Sequence, residues 1–159
     1  VNEAFQTSQK HIYAVGDCIN TPGYAHTAYA EGKIAAHNII TGKAAANTHM
    51  TPSAIFSEPQ IASCGLNERE AKKQGRAYEV KKAFFKANAK AKIAGDDTGF
   101  IKLIVCPQAG TVLGACIAGM QATELIHPLL LAVEKKLTFQ ELSALICVHP
   151  TLSEFMSQL

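Results

Sequence analysis

The spacing of apolar and polar positions changes along this chain, and each change marks an element. Residues 11–18, HIYAVGDC, read as a short buried strand ending in Gly-Asp. Residues 25–42, AHTAYAEGKIAAHNIITG, read as a helix rich in small residues, with Gly42 as its C-cap. Residues 43–52, KAAANTHMTP, are small or polar and end in proline, which predicts a linker and a domain boundary. Beyond it the pattern is new. SAIFS and QIASCGL are short apolar runs split by Glu58-Pro59, NEREAKKQG (67–75) is a charged surface helix, and AYEVKKAFF alternates as a strand does. ANAKAKIAGDDTG reads as a loop. FIKLIVC and TVLGACIAG, joined by PQAG, predict a β-hairpin. Residues 121–136 form an apolar helix ending in lysines, which suits the helix dipole, with His127-Pro128 inside it as a kink or restart. TFQELSALI predicts a further helix opened by a Thr138/Glu141 capping box. Strands grouped before helices point to an α+β layered domain and away from a parallel doubly wound sheet.

Composition narrows the function classes. The chain has 159 residues, 48% hydrophobic and 18% charged, so it can bury a core and disorder is not expected. A formal charge of +2 gives no case for nucleic acid. The longest apolar runs are too short for a bilayer, so no membrane partner is expected. The lysines of KKAFFKANAKAK (81–92) read as a solvated edge. Cysteines stand at 18, 64, 106, 116 and 147, without CxxC spacing and among apolar or small neighbours. Buried, reduced thiols and a reducing compartment are expected. The six histidines share no ligand spacing with Cys, Asp or Glu, so no metal site is expected. There is neither a GxGxxG fingerprint nor a P-loop. The chain opens VNEAF, without an initiator Met, and is expected to be an excised segment.

One stretch carries candidate chemistry. In VHPTLSEF (148–155), Thr151 and Glu154 have capping-box spacing, and Pro150 disfavours helix at His149. That reading is structural. The alternative is that Glu154 accepts from one nitrogen of His149, fixes the tautomer, and leaves the other nitrogen as a base. One carboxylate has two oxygens and can serve both purposes. A nucleophile for such a base is missing from the chain.

Taken in order, IYAVGDC…AHTAYAEG, PSAIFSEPQIASCGL, FFKANAKAKI…DDTGFIKLIV, VLGACIAG…ATELI and HPTLSE resemble dihydrolipoamide dehydrogenases, within the flavin-dependent pyridine nucleotide-disulfide oxidoreductases. The resemblance spans nearly the whole chain. It implies a C-terminal part of a longer enzyme, with residues 1–45 as the last strand and helix of the FAD domain and 46–159 as the dimerisation domain. That domain would be an antiparallel sheet with helices packed on it. In such enzymes Gly16 and Asp17 would approach FAD, with the Asp carboxylate on a ribityl hydroxyl. The helix start at Ala25 and His26 would face the flavin ring. His149, oriented by Glu154, would be the proton acceptor for a dithiol at the partner subunit's redox disulfide. NAD would take the electrons. A homodimer is implied, meeting through the 121–136 helix and the hairpin face. So is a lipoyl-bearing protein of a 2-oxoacid dehydrogenase complex, in a bacterial cytoplasm or a mitochondrial matrix. The fragment alone is expected to bind no cofactor and to be inactive. Glu58 and Cys147-Val148 depart from the commoner residues at those places, and Cys147 reads as a core thiol. Two alternatives stay open: a glutathione-reductase-like disulfide reductase, or a non-catalytic dimerisation module in which HPTLSE only caps a helix.

Overall fold

A computed structural model describes all residues, 1–159. The chain divides into two compact units, Val1–Thr51 and Pro52–Leu159. Residues 43–52 carry no helix or strand.

The first unit is built around helix α1, Ala25–Thr41, which ends with Gly42 in the left-handed conformation as its cap. Its buried stripe is Thr27, Glu31, Ala35 and Asn38, while Tyr29, Ile39 and Ile40 are exposed. The helix is therefore polar inward. Asn38 accounts for part of this, donating to Ala4 O and Ala45 O and accepting from Ala45 N–H. The strand expected over 11–18 is reduced to a lone bridge between Gln6 and Tyr13, followed by a 3-10 turn, Gly16–Cys18. Gly16 has φ +73°, which ends an extended run, and its N–H goes to a side chain instead of a ladder.

The second unit is a five-stranded antiparallel sheet with one long helix against it. The strands are β1 (Ser53–Ile55), β2 (Ile61–Gly65), β3 (Glu79–Phe84), β4 (Gly99–Val105) and β5 (Val112–Gly119), in spatial order β1-β2-β5-β4-β3. β4 and β5 are the predicted hairpin, pairing Ile101 with Ile117 and Leu103 with Ala115. Strand side chains alternate between faces. One face gathers Ala62, Cys64, Ala83, Ile101, Leu103, Ala115 and Ile117, all buried. Helix α4, Ala122–Glu134, lies across β5 and β2 and buries Leu125, Ile126, Leu129, Ala132 and Val133. The opposite face is half-covered and amphipathic: Lys82 reaches over Phe84 and Phe100, and Lys102 bonds Glu68 at 2.6 Å.

Three local readings change. The segment expected as a loop contains a helix, α3, Ala89–Ala94. Asn88 caps its first turn, Gly95 closes it in the left-handed conformation, and the Ala/Lys run between them favours helix. Helix α4 passes through Pro128 without a restart. Proline has no N–H for the Glu124 carbonyl, and the His127 ring supplies one, with Nδ1 3.1 Å from Glu124 O. Helix α4 turns its apolar side to its own sheet and leaves Leu131 exposed on the other. Helix α2, Glu68–Lys73, and helix α5, Phe139–Ser143, both open with capping boxes, at Asn67/Glu70 and Thr138/Glu141. Helix α5 stops before Leu145, so Leu145, Ile146 and Val148 stand exposed. The cysteines also differ from expectation. Cys64 is buried, Cys18 is exposed, and the other three are intermediate.

Candidate functional site

The strongest chemical constellation lies at the end of the second unit. Residues 144–151 form no helix or strand, and a 3-10 helix follows at Leu152–Ser157. Leu152, Phe155 and Met156 are buried and anchor that turn in the core. Pro150 follows His149 through a cis peptide, and Thr151 is extended as the N-cap. The His149 ring, on the extended side of this junction, has a side chain 71% exposed, whereas Glu154 is 18% exposed.

Glu154 uses its two oxygens separately. Oε1 lies 2.8 Å from His149 Nδ1, and Oε2 accepts the Thr151 N–H at 2.9 Å. A carboxylate only accepts, so Nδ1 carries the proton in this pair. In the neutral ring Nε2 is then the lone-pair nitrogen, which is the form a general base needs. The His149 bond, and after it the Thr151 N–H, hold the Glu154 carboxyl below its usual range. Glu141 is the useful contrast. Its Oε2 takes both the Thr138 N–H and the Thr138 hydroxyl, at 2.7 and 2.8 Å, and its pKa is lowered by that cap. The same box without a histidine is a helix cap; with His149 it also orients an imidazole. Thr151 Oγ1 donates to Val148 O at 2.7 Å and tightens the loop around the ring. The Cys147 thiol lies 3.5 Å from Ser153 O.

A cavity of about 340 Å³ adjoins this segment, lined by Lys90, Met120, Leu125, Pro150, Leu152 and Ser153 among others. No group of three or more His, Cys, Asp or Glu residues is placed to hold a metal ion.

In the first unit the structure brings Gly16 and Asp17 to the turn facing α1. Gly16 N–H donates to Glu31 Oε2 at 2.7 Å, and a Cβ at Gly16 would meet Ala28 Cβ at 3.1 Å. Glycine is thus required both by φ and by the close approach of the helix. Asp17 is exposed, with its carboxylate beside Gly23. Ala25 is the first residue of α1, and its N-cap, Tyr24, makes no side-chain cap bond. His26 is exposed, and its ring stacks on Tyr24 with centroids 5.1 Å apart. Two buried polar residues, one in each unit, are not legible in the sequence. Glu31 is 1% exposed and holds the Gly16 turn, yet it sits in a run of small and polar residues that gives no sign of an inward carboxylate. Asn88 is 2% exposed inside a stretch that reads as a loop.

Comparison with known proteins bears on this geometry. Residues 51–159 match the pyridine nucleotide-disulphide oxidoreductase dimerisation domain. A dihydrolipoyl dehydrogenase of Bacillus subtilis is 41% identical over 149 residues, 94% of this chain and 32% of that protein. The mitochondrial dihydrolipoyl dehydrogenase of Caenorhabditis elegans is 36% identical over 97% of this chain and 31% of its own length. Among solved structures, LpdA of Mycobacterium tuberculosis superposes with a TM-score of 0.89 at 27% identity, over 99% of this chain and 35% of that one. The HOCl-induced flavoprotein disulfide reductase RclA of Escherichia coli shares the fold, with a TM-score of 0.91 at 22% identity, over 100% of this chain and 37% of its own. The chain spans about a third of the length of the curated relatives it matches. The match covers the entire sheet, α4 and the His149–Glu154 turn, and the chain belongs to the pyridine nucleotide-disulphide oxidoreductase family, whose dimerisation domain it carries.

Proposed function

We propose that this chain acts as the C-terminal part of a flavin-dependent, NAD-linked dihydrolipoamide dehydrogenase, supplying the dimer interface and the His149–Glu154 acid/base pair. The single observation that carries the reading is the 2.8 Å contact of His149 Nδ1 with Glu154 Oε1, on a ring that is otherwise exposed. A dithiol must lose a proton before it attacks a disulfide, because the thiolate is the nucleophile. His149 Nε2 accepts that proton, giving thiolate and imidazolium, and Glu154 steadies the imidazolium without taking the proton itself. In a homodimer this ring serves the redox disulfide of the partner subunit. The substrate is the dihydrolipoyl group of a lipoyl-bearing protein from a 2-oxoacid dehydrogenase complex.

Residues 1–45 act as the closing strand–helix piece of the FAD domain and 46–159 as the interface domain. The residues present fit a flavin. Gly16 and Asp17 form a tight turn with an outward carboxylate, and α1 begins at Ala25. Backbone N–H groups of Ala25 and His26 offer the positive end of the helix to developing negative charge. Asp17 offers an ionised acceptor to a ribityl hydroxyl. When bound, FAD supplies the electron transfer between the redox disulfide and NAD. The exposed Tyr29, Ile39 and Ile40 favour further protein against α1.

The test joins these 159 residues to the N-terminal two-thirds of the Bacillus subtilis dihydrolipoyl dehydrogenase. Removing a general base costs about 10²–10⁴-fold, so His149→Gln is expected to lower dihydrolipoamide oxidation by that factor with flavin content unchanged. Unaltered turnover would overturn the catalytic reading. The Thr151 N–H bond to Glu154 favours a second reading, a helix cap in a non-catalytic dimerisation module. In that case Glu154→Gln and Thr151→Ala cost similar stability and neither changes the rate.

A further inference from the structure

Asn88 connects two parts of the second unit that lie 63 residues apart in sequence, and it does so from a buried position, 2% exposed. Its Oδ1 accepts the Ala91 N–H at 3.1 Å and so caps α3. Its Nδ2 faces two carbonyls, Thr151 O at 3.2 Å and Leu152 O at 3.4 Å. The amide orientation follows from its partners, since an N–H must meet the oxygen and the carbonyls must meet the NH₂. The other hydrogen bonds of this segment are local: Cys147 to Ser153, His149 to Glu154, Thr151 to Val148 and Glu154, Ser157 to Glu154. Local bonds leave the turn's place on the sheet, and with it the orientation of the Thr151 backbone, to be set from outside.

Leu152, Phe155 and Met156 bury the turn, yet apolar packing is non-directional and leaves its rotation open. The Asn88 amide removes that freedom. It grips the carbonyls on both sides of the Thr151–Leu152 link, and the N–H of that same Thr151 holds Glu154 Oε2. The connection runs from the α3 cap through the Thr151 backbone to the carboxylate and then to the imidazole. We infer that Asn88 is a positioning residue for His149: it fixes the turn on which the Glu154 carboxylate selects the Nδ1–H tautomer. This rests on the proposed acid/base role of His149 only for its consequence in catalysis; the tautomer itself is independent of it.

Asn88→Ser keeps a capping oxygen but removes the NH₂ that reaches the two carbonyls. In the 159-residue chain, long-range nitrogen–proton NMR of the His149 ring is expected to show the Nδ1–H form alone. Asn88→Ser is expected to show a second, Nε2–H population. Asn67→Ala breaks the α2 capping box and serves as the control for losing a capping asparagine, with the ring signals unchanged. In the joined enzyme, Asn88→Ser is expected to lower kcat about ten- to a hundredfold, in line with small misplacements of reacting groups, with KM for NAD unmoved. If Asn88→Ser does not fold, Asn88→Thr, which also keeps a capping oxygen without an NH₂ and fills more of the buried space, gives the same reading. A wild-type tautomer in a folded Asn88 variant would overturn the assignment, as would an equal change in Asn67→Ala. If His149→Gln retains full turnover, the acid/base reading fails, and the NMR result still decides what Asn88 does.

Discussion

Helix α4 provides the sharpest test of how this domain is held together. Leu129 and Leu131 are two residues apart on it, yet Leu129 is 0% exposed and Leu131 is 53% exposed. Leu129 faces the sheet, where α4 crosses β5 and β2. Truncating a buried leucine loses its transfer free energy and leaves a cavity, so Leu129→Ala is expected to cost about 2–5 kcal/mol. A unit the size of Pro52–Leu159 loses about 4–5 °C of Tm per kcal/mol, which gives a drop of about 8–25 °C. Leu131 has given up only about half its surface. Full burial of leucine is worth about 1.5–3 kcal/mol, so Leu131→Ala is expected to cost about 1 kcal/mol in the monomer. Urea and thermal unfolding of both variants, with sedimentation to report association, measures the difference. Equal losses at the two positions would refute the reasoning. So would a Leu129→Ala variant that unfolds normally and only dissociates, because α4 would then face a partner and not its own sheet.

Four further outcomes are expected. Glu154 has its carboxyl lowered from an ordinary value near 4.5, first by His149 and then by the Thr151 N–H, so the stability it contributes is present above that value and lost as pH falls through the lowered one. The stability gap between wild type and Glu154→Gln should therefore close as pH is taken below about 4.5, and a gap that stays constant down the acid limb would contradict the hydrogen-bond pattern. Burial pushes the Cys64 thiol up to about 12, whereas Cys18 is exposed, so disulfide-reagent labelling of the folded chain at pH 8 should consume Cys18 rapidly and leave Cys64 for the unfolded state. Gly114 packs where a Cβ would run into the Leu66 backbone, and Gly114→Ala is expected to destabilise by about 1–3 kcal/mol in denaturant titrations. Ile146 is fully exposed beside Val148, and Ile146→Asp is expected to change the stability of the fold by no more than about 0.5 kcal/mol in denaturant titrations, since the side chain touches no core.

Most of the second unit can be read from the sequence because its signals are local. Strand alternation in 79–84, the β4–β5 hairpin, and the Thr138 and Thr151 capping boxes are each set within a few residues. The pairing of His149 with Glu154 is legible for the same reason, being five residues apart. What could not be read depends on distant partners. Tyr13 lacks a full ladder, which only three-dimensional neighbours decide. Glu31 is buried by the Gly16 turn fifteen residues earlier, and Asn88 by carbonyls 63 residues later. The α3 helix was obscured by the same asparagine, which suggests a turn by composition and acts as a cap. Pro128 argues for a break, and the His127 ring nitrogen removes the reason for one.

The division of labour between the two oxygens of Glu154 has a consequence for how this protein can change over generations. A shorter or neutral side chain there would loosen the final turn and release the imidazole in one step, so the acid cannot be exchanged without disturbing the architecture. Divergence is expected to begin at the ring, which the fold can spare, and only afterwards at its acidic neighbour. A descendant with the glutamate in place and the histidine gone would be the mark of that order.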